Sequence, residues 1–144
     1  GRPDDPGYYR ALRRLCSANA SWLALQDPMP KKQLFDLMGE HRYGINGAVD
    51  EPFGIAVAEM VKAGCIVFVP DGGGQTEIVA DSRLIYRDPD DAVDKISLVL
   101  DSGPLQQDLL RRMSSQGRMF STESFCREIQ ETVAQFFSRA AVAA

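Results

Sequence analysis

The feature that most constrains the fold is an apolar helical segment that leads directly into a buried strand. Residues 53–63 are apolar at nearly every position, Gly64 ends that pattern, and the run Cys65–Val69 contains no charged side chain. Glycine is the usual stop signal after a helix, and a short apolar run of this kind is typical of a strand buried on both faces. This order of helix, glycine and strand predicts a parallel α/β sheet.

The remaining apolar segments alternate in the same way between helical spacing and the short, dense runs that are typical of strands. Helical spacing predicts helices at about residues 8–16, 31–38, 75–79, 92–100, 105–116 and 122–139. Short apolar runs predict further strands at 22–25, 42–45 and 84–86. Asp88-Pro89 is typical of a helix start, and either Ser121 or Thr122 can cap the last helix. We therefore predict an α/β fold with a Rossmann-like, doubly wound parallel sheet, whose ligands bind at the carboxyl ends of the strands.

Composition excludes several classes of protein. The 144 residues carry 16 basic and 20 acidic side chains, a net charge of −4, without the concentrated basic face that nucleic acid needs. No apolar run approaches the roughly 20 residues that span a bilayer. We predict a cytoplasmic protein with no nucleic-acid partner and no transmembrane segment. The cluster Arg10, Arg13 and Arg14 is interpreted as a solvated helix face, which leaves peripheral membrane contact open.

Metal and disulfide sites are not predicted. The three cysteines are far apart, and His41 is the single histidine. Cys65 is flanked by apolar residues and is interpreted as a small core residue, not as a nucleophile. Asp88-Pro89-Asp90 is interpreted as a helix cap.

Glu59 is a carboxylate in a helical segment that we expect to be buried on nearly every side. Burial of a carboxylate is costly unless hydrogen bonds compensate for it, and the hydroxyl groups of a bound sugar are suitable donors. Two alternatives stay open: Glu59 pairs with a neighbouring cation, or the helix is less deeply buried than its sequence indicates.

A second carboxylate, Glu51, precedes Pro52 at the expected start of the same helix. Phe53–Ile55 would then form the first turn, where backbone N–H groups are unpaired and the helix dipole favours anions. Gly54 would allow a ligand to approach the backbone closely. An anion site flanked by two acceptors, Glu51 and Glu59, suits a ligand with both phosphate and hydroxyl groups.

These residues carry a resemblance to a known family. Glu51-Pro52-Phe53-Gly54-Ile55-Ala56-Val57-Ala58-Glu59, with seven residues between the glutamates, resembles the signature of retaining GT-B glycosyltransferases, chiefly glycosyltransferase family 4. The run from Gly64 into the buried strand is similar to another family segment, and Gly73–Val79 is similar to the family's Gly-Gly-x-x-Glu-Ile-Val.

The resemblance implies a role for each matching residue. Glu51 would contact hydroxyls of the donor hexose and act as the catalytic residue, and Glu59 would bind the ribose. The backbone N–H groups of Phe53, Gly54 and Ile55 would meet the diphosphate and the sugar. Gly73 and Gly74 would either border the donor or serve only a tight turn. The donor would be a UDP-sugar or a GDP-sugar, and neither a cofactor nor a metal ion is expected.

The resemblance also implies a domain organisation. Residues 1–119 would be a partial donor-binding domain without its first two strands, and residues 120–144 a C-terminal helix and tail. In a sheet of order 3-2-1-4-5-6 the missing strands would leave a gap inside the sheet. Gly1–Asp5 is similar to a loop after the second strand, so we expect the chain to begin partway through this domain.

Two parts of the family pattern have no counterpart in this sequence. They are the N-terminal acceptor-binding half, which we expect as a partner, and an Arg and Lys pair that neutralises the diphosphate. A non-catalytic module that binds sugar nucleotides or another protein is therefore the alternative. A different GT-B enzyme, an epimerase or a phosphorylase, is a third hypothesis.

Overall fold

A computed structural model describes residues 6–142 of the chain, with side chains up to residue 137. The chain divides into two compact units, residues 1–34 and residues 35–144. The predicted loop at Gly1–Asp5 and the last two residues of the predicted tail lie outside the described residues. The boundary predicted between residues 119 and 120 stays a prediction.

The described part of the first unit contains one helix and the start of a second, joined by a turn and irregular residues at 19–30. Helix α1 covers Pro6–Ala18, and helix α2, Lys31–Gly39, begins in this unit. The strand predicted at 22–25 is wrong. The backbone N–H groups of Trp22 and Leu23 both donate to the Asn19 carbonyl, at 3.1 and 2.9 Å, in a turn that follows α1. Because these two amides donate within the turn, they do not pair with a neighbouring strand. The Trp22 side chain is 74% exposed.

The second unit contains a parallel sheet surrounded by helices. After the end of α2 its elements are β1 (Tyr43–Ile45), α3 (Ile55–Ala63), β2 (Ile66–Pro70), α4 (Gln75–Val79), β3 (Ile85–Tyr86), α5 (Pro89–Leu100), α6 (Gly103–Met119) and α7 (Thr122–Val142). The strands pair in the order β1-β2-β3, with Gly44 opposite Val67 and Val69 opposite Ile85. The predicted α/β class is confirmed. The order β1-β2-β3 is that of the last three strands in the predicted sheet. The predicted gap lies between β1 and the strand at 22–25, which does not form, so the gap stays a prediction.

Strand β2 is the centre of the hydrophobic core. All five of its residues are buried, and β1 and β3 pair with its two edges. Helices α3, α4 and α6 pack against it. Gly117 allows the close approach of α6 to α3, since a Cβ atom there would lie 3.2 Å from the Val61 carbonyl oxygen. The buried side chains of this core are Val57, Ala58, Val61, Cys65, Ile66, Val67, Phe68, Val69, Ile78, Val79, Leu84, Val99, Leu109 and Met113.

The helix starts follow the capping residues of the sequence. The Asp88 side chain accepts a hydrogen bond from the Asp91 N–H at 2.9 Å, and the Ser121 hydroxyl accepts one from the Ser124 N–H at 3.1 Å. Both predicted caps are confirmed. None of the helices in the described residues has the length and apolar character needed to span a membrane.

A charged cluster holds the segment before β3 against α6. The Arg83 Nη2 atom lies 2.6 Å from the Asp81 carboxylate and 2.9 Å from that of Asp108. The Asp81 side chain is only 6% exposed. Hydrogen bonds from Arg83 lower the pKa of Asp81, because they favour its ionised form more strongly than burial disfavours it.

We expect Leu109→Ala to lower the free energy of unfolding by about 2–5 kcal/mol, since it leaves a cavity at a fully buried position in α6. Leu98→Ala is the matched control because Leu98 is 60% exposed, and it should change that free energy by at most about 0.5 kcal/mol. Urea unfolding followed by circular dichroism measures both. Equal effects would contradict the position of the core.

We expect Asp81→Asn to cost about 1–3 kcal/mol of stability at pH 7, because Arg83 loses a charged partner. A carboxyl group whose pKa is lowered on folding stabilises the protein above its unfolded pKa, about 3.9, and loses that effect as pH falls through the folded pKa. The difference between wild type and variant should therefore shrink below about pH 4.

Unfolding of both proteins in urea from pH 7 to pH 3 checks this expectation. Asp94→Asn, at an exposed position in α5, is the control. A difference between wild type and Asp81→Asn that does not change with pH would contradict the ionic origin of the effect.

Candidate functional site

Two loops meet at the carboxyl end of the parallel sheet. Residues 46–54 follow β1 and residues 71–74 follow β2, so both loops leave the same edge. The Gly74 N–H donates to the Glu51 carbonyl oxygen at 3.0 Å. The backbone of a predicted site residue is therefore fixed by the glycine-rich loop after the central strand.

The side chain of Gln75 joins the two loops from inside the protein. It is fully buried, and its Nε2 atom donates to the carbonyl oxygens of Ala48 at 2.8 Å and Gly72 at 3.3 Å. Its Oε1 atom accepts from Asn46 Nδ2 at 2.7 Å. The Tyr86 hydroxyl, at the end of β3, donates to the Asn46 carbonyl at 2.5 Å. This network links the ends of all three strands.

Gln75 and Asn46 are not among the residues predicted from the sequence. The one signal in the sequence is that Gln75 opens a helical segment with buried Ile78 and Val79, where a polar side chain needs partners. Those partners are mostly backbone carbonyl groups of distant residues. Nothing in the pattern of side chains shows where they lie.

Gly73 and Gly74 allow the two loops to touch. A Cβ atom at Gly73 would overlap the Glu51 carbonyl oxygen, and Gly73 has φ +67°. A Cβ atom at Gly74 would lie 2.6 Å from the Pro52 carbonyl oxygen. These contacts support the structural alternative for both glycines. Their contact with a donor stays a prediction.

Helix α3 begins two residues later than predicted. Gly54 is its N-cap, with φ +94°, and the Ala58 N–H donates to the Gly54 carbonyl at 3.0 Å. The first-turn amides are therefore those of Ile55–Val57, and the predicted turn Phe53–Ile55 is wrong. The left-handed conformation of Gly54 sets this start.

Gly54 also allows the loop to pack closely on α4. It is buried, and a Cβ atom there would lie 3.1 Å from Gln75 Cβ and 3.4 Å from Ile78 Cδ1. The absence of a side chain lets the loop sit on α4. The expectation that it clears a path for a ligand is not supported by this geometry.

Helix α3 is buried on one side only, so the expectation of burial all round is wrong. Val57, Ala58 and Val61 are buried, whereas Ile55 is 65% exposed and Glu59 is half-buried. The helix packs with one face on β2, α4 and α6 and has a solvent face. This bears out the alternative of a less deeply buried helix, and the pairing of Glu59 with a neighbouring cation stays open.

Glu59 lies in a groove of about 590 Å³ between the start of α3 and the start of α7. Phe53 and Ile55 line the same groove, whereas Glu51, Gly54, Gly73 and Gly74 do not. The other lining residues are Ala58, Lys62, Met119, Phe120, Ser121, Thr122, Phe125 and Glu128. The structure thus brings three of the predicted site residues together and leaves Glu51 in the loop beside them.

Cys65 lies in the hydrophobic core. The Cys65 thiol is buried and donates to the carbonyl oxygens of Met38 and His41, both at 3.3 Å. Burial raises the pKa of the Cys65 thiol, which disfavours the reactive thiolate. Its prediction as a core residue is confirmed. No group of three His, Cys, Asp or Glu side chains suited to a metal ion occurs in the part of the chain that the structure describes.

Comparison with known proteins gives no family assignment. No protein-family model matches the chain, and no curated protein sequence matches it. The resemblance to retaining glycosyltransferases therefore rests on the motif residues themselves.

We expect Gly73→Ala to lower the free energy of unfolding by about 2 kcal/mol or more, because alanine disfavours this positive φ and its Cβ would meet the Glu51 carbonyl. Gly103→Ala is the control, since no atom lies within 4 Å of the added Cβ. It should stay within about 0.5 kcal/mol of wild type. Urea unfolding compares the two, and equal stabilities would refute the close approach of the loops.

Proposed function

We propose that this chain is the donor-binding part of a retaining glycosyltransferase, which transfers a hexose from a nucleotide diphosphate sugar to an acceptor hydroxyl. The observation that carries the proposal is the position of the Glu51 loop. It lies at the carboxyl edge of a parallel sheet, beside the N-terminus of α3, where α/β proteins commonly hold nucleotides. The Rossmann-like GT-B architecture is part of this proposal.

The first turn of α3 supports a role in diphosphate binding. The amides of Ile55, Ala56 and Val57 have no carbonyl partner one turn earlier in the helix, and the Ile55 and Ala56 residues are exposed. Such amides and the helix dipole stabilise the negative charge that develops on a departing nucleoside diphosphate. In this proposal they act without a metal ion.

Glu59 supports the binding of the nucleoside. Its half-buried carboxylate opens into the groove of about 590 Å³, where an acceptor group can meet the hydroxyls of a ribose. Lys62, one turn along α3, is the one basic side chain among the groove-lining residues. It can offset part of the charge of Glu59 and Glu128.

Glu51 is proposed to orient the hexose and to stabilise positive charge at its anomeric carbon. The Gly74 N–H donates to the Glu51 carbonyl, and this hydrogen bond fixes the backbone position from which the Glu51 side chain extends. Retention is explained by same-face attack: the acceptor oxygen bonds to the anomeric carbon as the diphosphate leaves, and the leaving phosphate takes the acceptor proton. The acceptor side is proposed to come from the N-terminal half of the enzyme.

The charge of the groove favours one second candidate, a non-catalytic module that binds sugar nucleotides. Two carboxylates, Glu59 and Glu128, face a single lysine there. The Arg and Lys pair that neutralises the diphosphate in the family that the chain resembles has no counterpart in this sequence. Nucleotide binding without transfer, after the acceptor half is supplied, would favour the module.

Titration calorimetry of the chain with UDP, GDP and their hexose derivatives tests the binding step. We expect Glu59→Ala to weaken the binding of the preferred nucleotide about tenfold, equivalent to about 1.4 kcal/mol, because the ribose loses an acceptor. Glu131→Ala, at an exposed position on α7, is the control and should bind like wild type. If the chain binds none of these ligands, the proposal is wrong.

Glu51→Ala should mainly lower kcat when the acceptor half is supplied, while Glu59→Ala should mainly raise the donor KM. The reason is that Glu51 is proposed to act on the reacting hexose and Glu59 on the nucleoside. Initial rates with the preferred donor separate the two effects. Unchanged kinetics for both variants would overturn the assignment, and product analysis would identify an epimerase or a phosphorylase.

A further inference from the structure

Helix α7 carries an apolar face that the described residues of the second unit leave exposed. At about 100° per residue, Phe125, Val133 and Phe136 lie within about 40° of Ile129 around the helix axis. Their side chains and that of the adjacent Phe137 are between 49% and 69% exposed. We call these five residues the α7 stripe. Phe125 also lies on the rim of the groove, and the other four continue away from it along the helix.

The α7 stripe is large enough for a stable interface. Phenylalanine side chains present about 150–250 Å² each, so the five residues expose on the order of 500 Å² of apolar surface at their observed exposures. A standard interface covers about 800 Å² on each partner, of which about 56–65% is apolar. The exposed apolar area thus matches one side of such an interface, and it lies at the upper end of what monomers leave open.

We propose that two copies of this chain pair through their α7 stripes, with the two helices antiparallel about a two-fold axis near Gln130 and Glu131. The order of side chains along the stripe is self-complementary: aromatic residues lie at its ends, and β-branched Ile129 and Val133 lie between. Antiparallel pairing places Phe125 opposite Phe136 of the partner subunit, and Ile129 opposite Val133 of the partner subunit. A two-fold interface requires this kind of self-complementarity.

The polar residues beside the stripe fit the same axis. Glu128 and Gln135 lie on one flank of the helix, about 100° and 120° from Ile129. The two-fold axis brings Glu128 of one copy beside Gln135 of the partner subunit, where the amide can donate to the carboxylate. No pair of like charges then faces across the interface within residues 122–137.

The direction of pairing follows from the way α7 joins its unit. Helix α7 contacts α6, and its first residues, Thr122, Phe125 and Glu128, line the groove shared with α3. Parallel pairing would bring both copies of the unit to the same end. Antiparallel pairing places them at opposite ends, about 30 Å apart along a helix of 21 residues.

Charge disfavours a membrane as the occupant. The exposed polar residues of α7 include Glu123, Glu128 and Glu131 against Arg127, whereas helices that lie on membranes are rich in basic residues on this face. A second copy of the chain is therefore the occupant that the surface fits best. This inference does not depend on the proposed glycosyltransferase function.

Sedimentation equilibrium of the full chain over a range of concentrations tests the pairing. We expect wild type to reach twice the mass of 15.9 kDa and to dissociate on dilution. The double variant Ile129→Glu/Val133→Glu should weaken dimerisation on the order of 100-fold or more, because two charges would be buried without partners. Both positions are about half exposed in the single chain, so the variant should keep its fold, and circular dichroism verifies this.

Arg127→Glu is the matched control. It changes the net charge by the same two units, but Arg127 lies on the opposite side of α7 from the stripe. This control should dimerise within a few-fold of wild type. A monomeric wild type would overturn the proposal, and so would equal dimerisation of wild type and the double variant.

Two further measurements distinguish different arrangements and occupants. In the antiparallel pair the two Cys126 residues lie about 14 Å apart along the axis, too far for a disulfide. Rapid oxidative cross-linking through Cys126, lost in Cys126→Ser, would overturn the antiparallel arrangement. Co-sedimentation of the chain with vesicles of neutral or anionic lipid, lost in the double variant, would assign the stripe to a membrane and overturn the pairing.

Discussion

The carboxyl end of the sheet in the second unit depends on one buried amide side chain. Gln75 is fully buried, and its hydrogen bonds join the loop after β1 to the loop after β2. A buried amide without partners is costly, whereas one whose partners are backbone carbonyls holds those carbonyls at fixed positions. The start of α3, the Glu51 backbone and the glycine-rich turn are arranged around this residue, so the geometry of the candidate site is set from the interior.

The sequence predicts most of the second unit because local and long-range signals agree there. Gly64 and the apolar run of β2 indicate the same boundary, and Asp88 and Ser121 cap the helices whose starts they predict. The strand predicted at 22–25 has no such agreement. Four apolar residues form a strand only if a neighbour accepts their hydrogen bonds, and here the amides of Trp22 and Leu23 return to Asn19.

The candidate site is harder to predict because its geometry comes from backbone contacts. The motif around Glu51 and Glu59 shows which residues recur at which spacing, but not that Gly54 has a left-handed conformation that delays the start of α3. Apolar spacing also overstates burial. Residues 55–61 are apolar on most sides, yet the helix meets protein on one face only, and Glu59 is left half-buried in a groove.

The contact between the two loops reduces the support that the glycine-rich segment adds to the family resemblance. Gly73 and Gly74 fit against the backbone of Glu51 and Pro52, so the Gly-Gly segment and the Glu-x-Phe-Gly segment form one packing unit. Because the two segments pack on each other, their joint occurrence counts as a single structural requirement. A fold could retain both segments without binding any ligand. The carboxylates of Glu51 and Glu59 are different, because the contact uses the Glu51 carbonyl and neither side chain. The two carboxylates are thus separate from the packing of the loops, and they add support to the nucleotide-sugar hypothesis, which the position of the Glu51 loop carries.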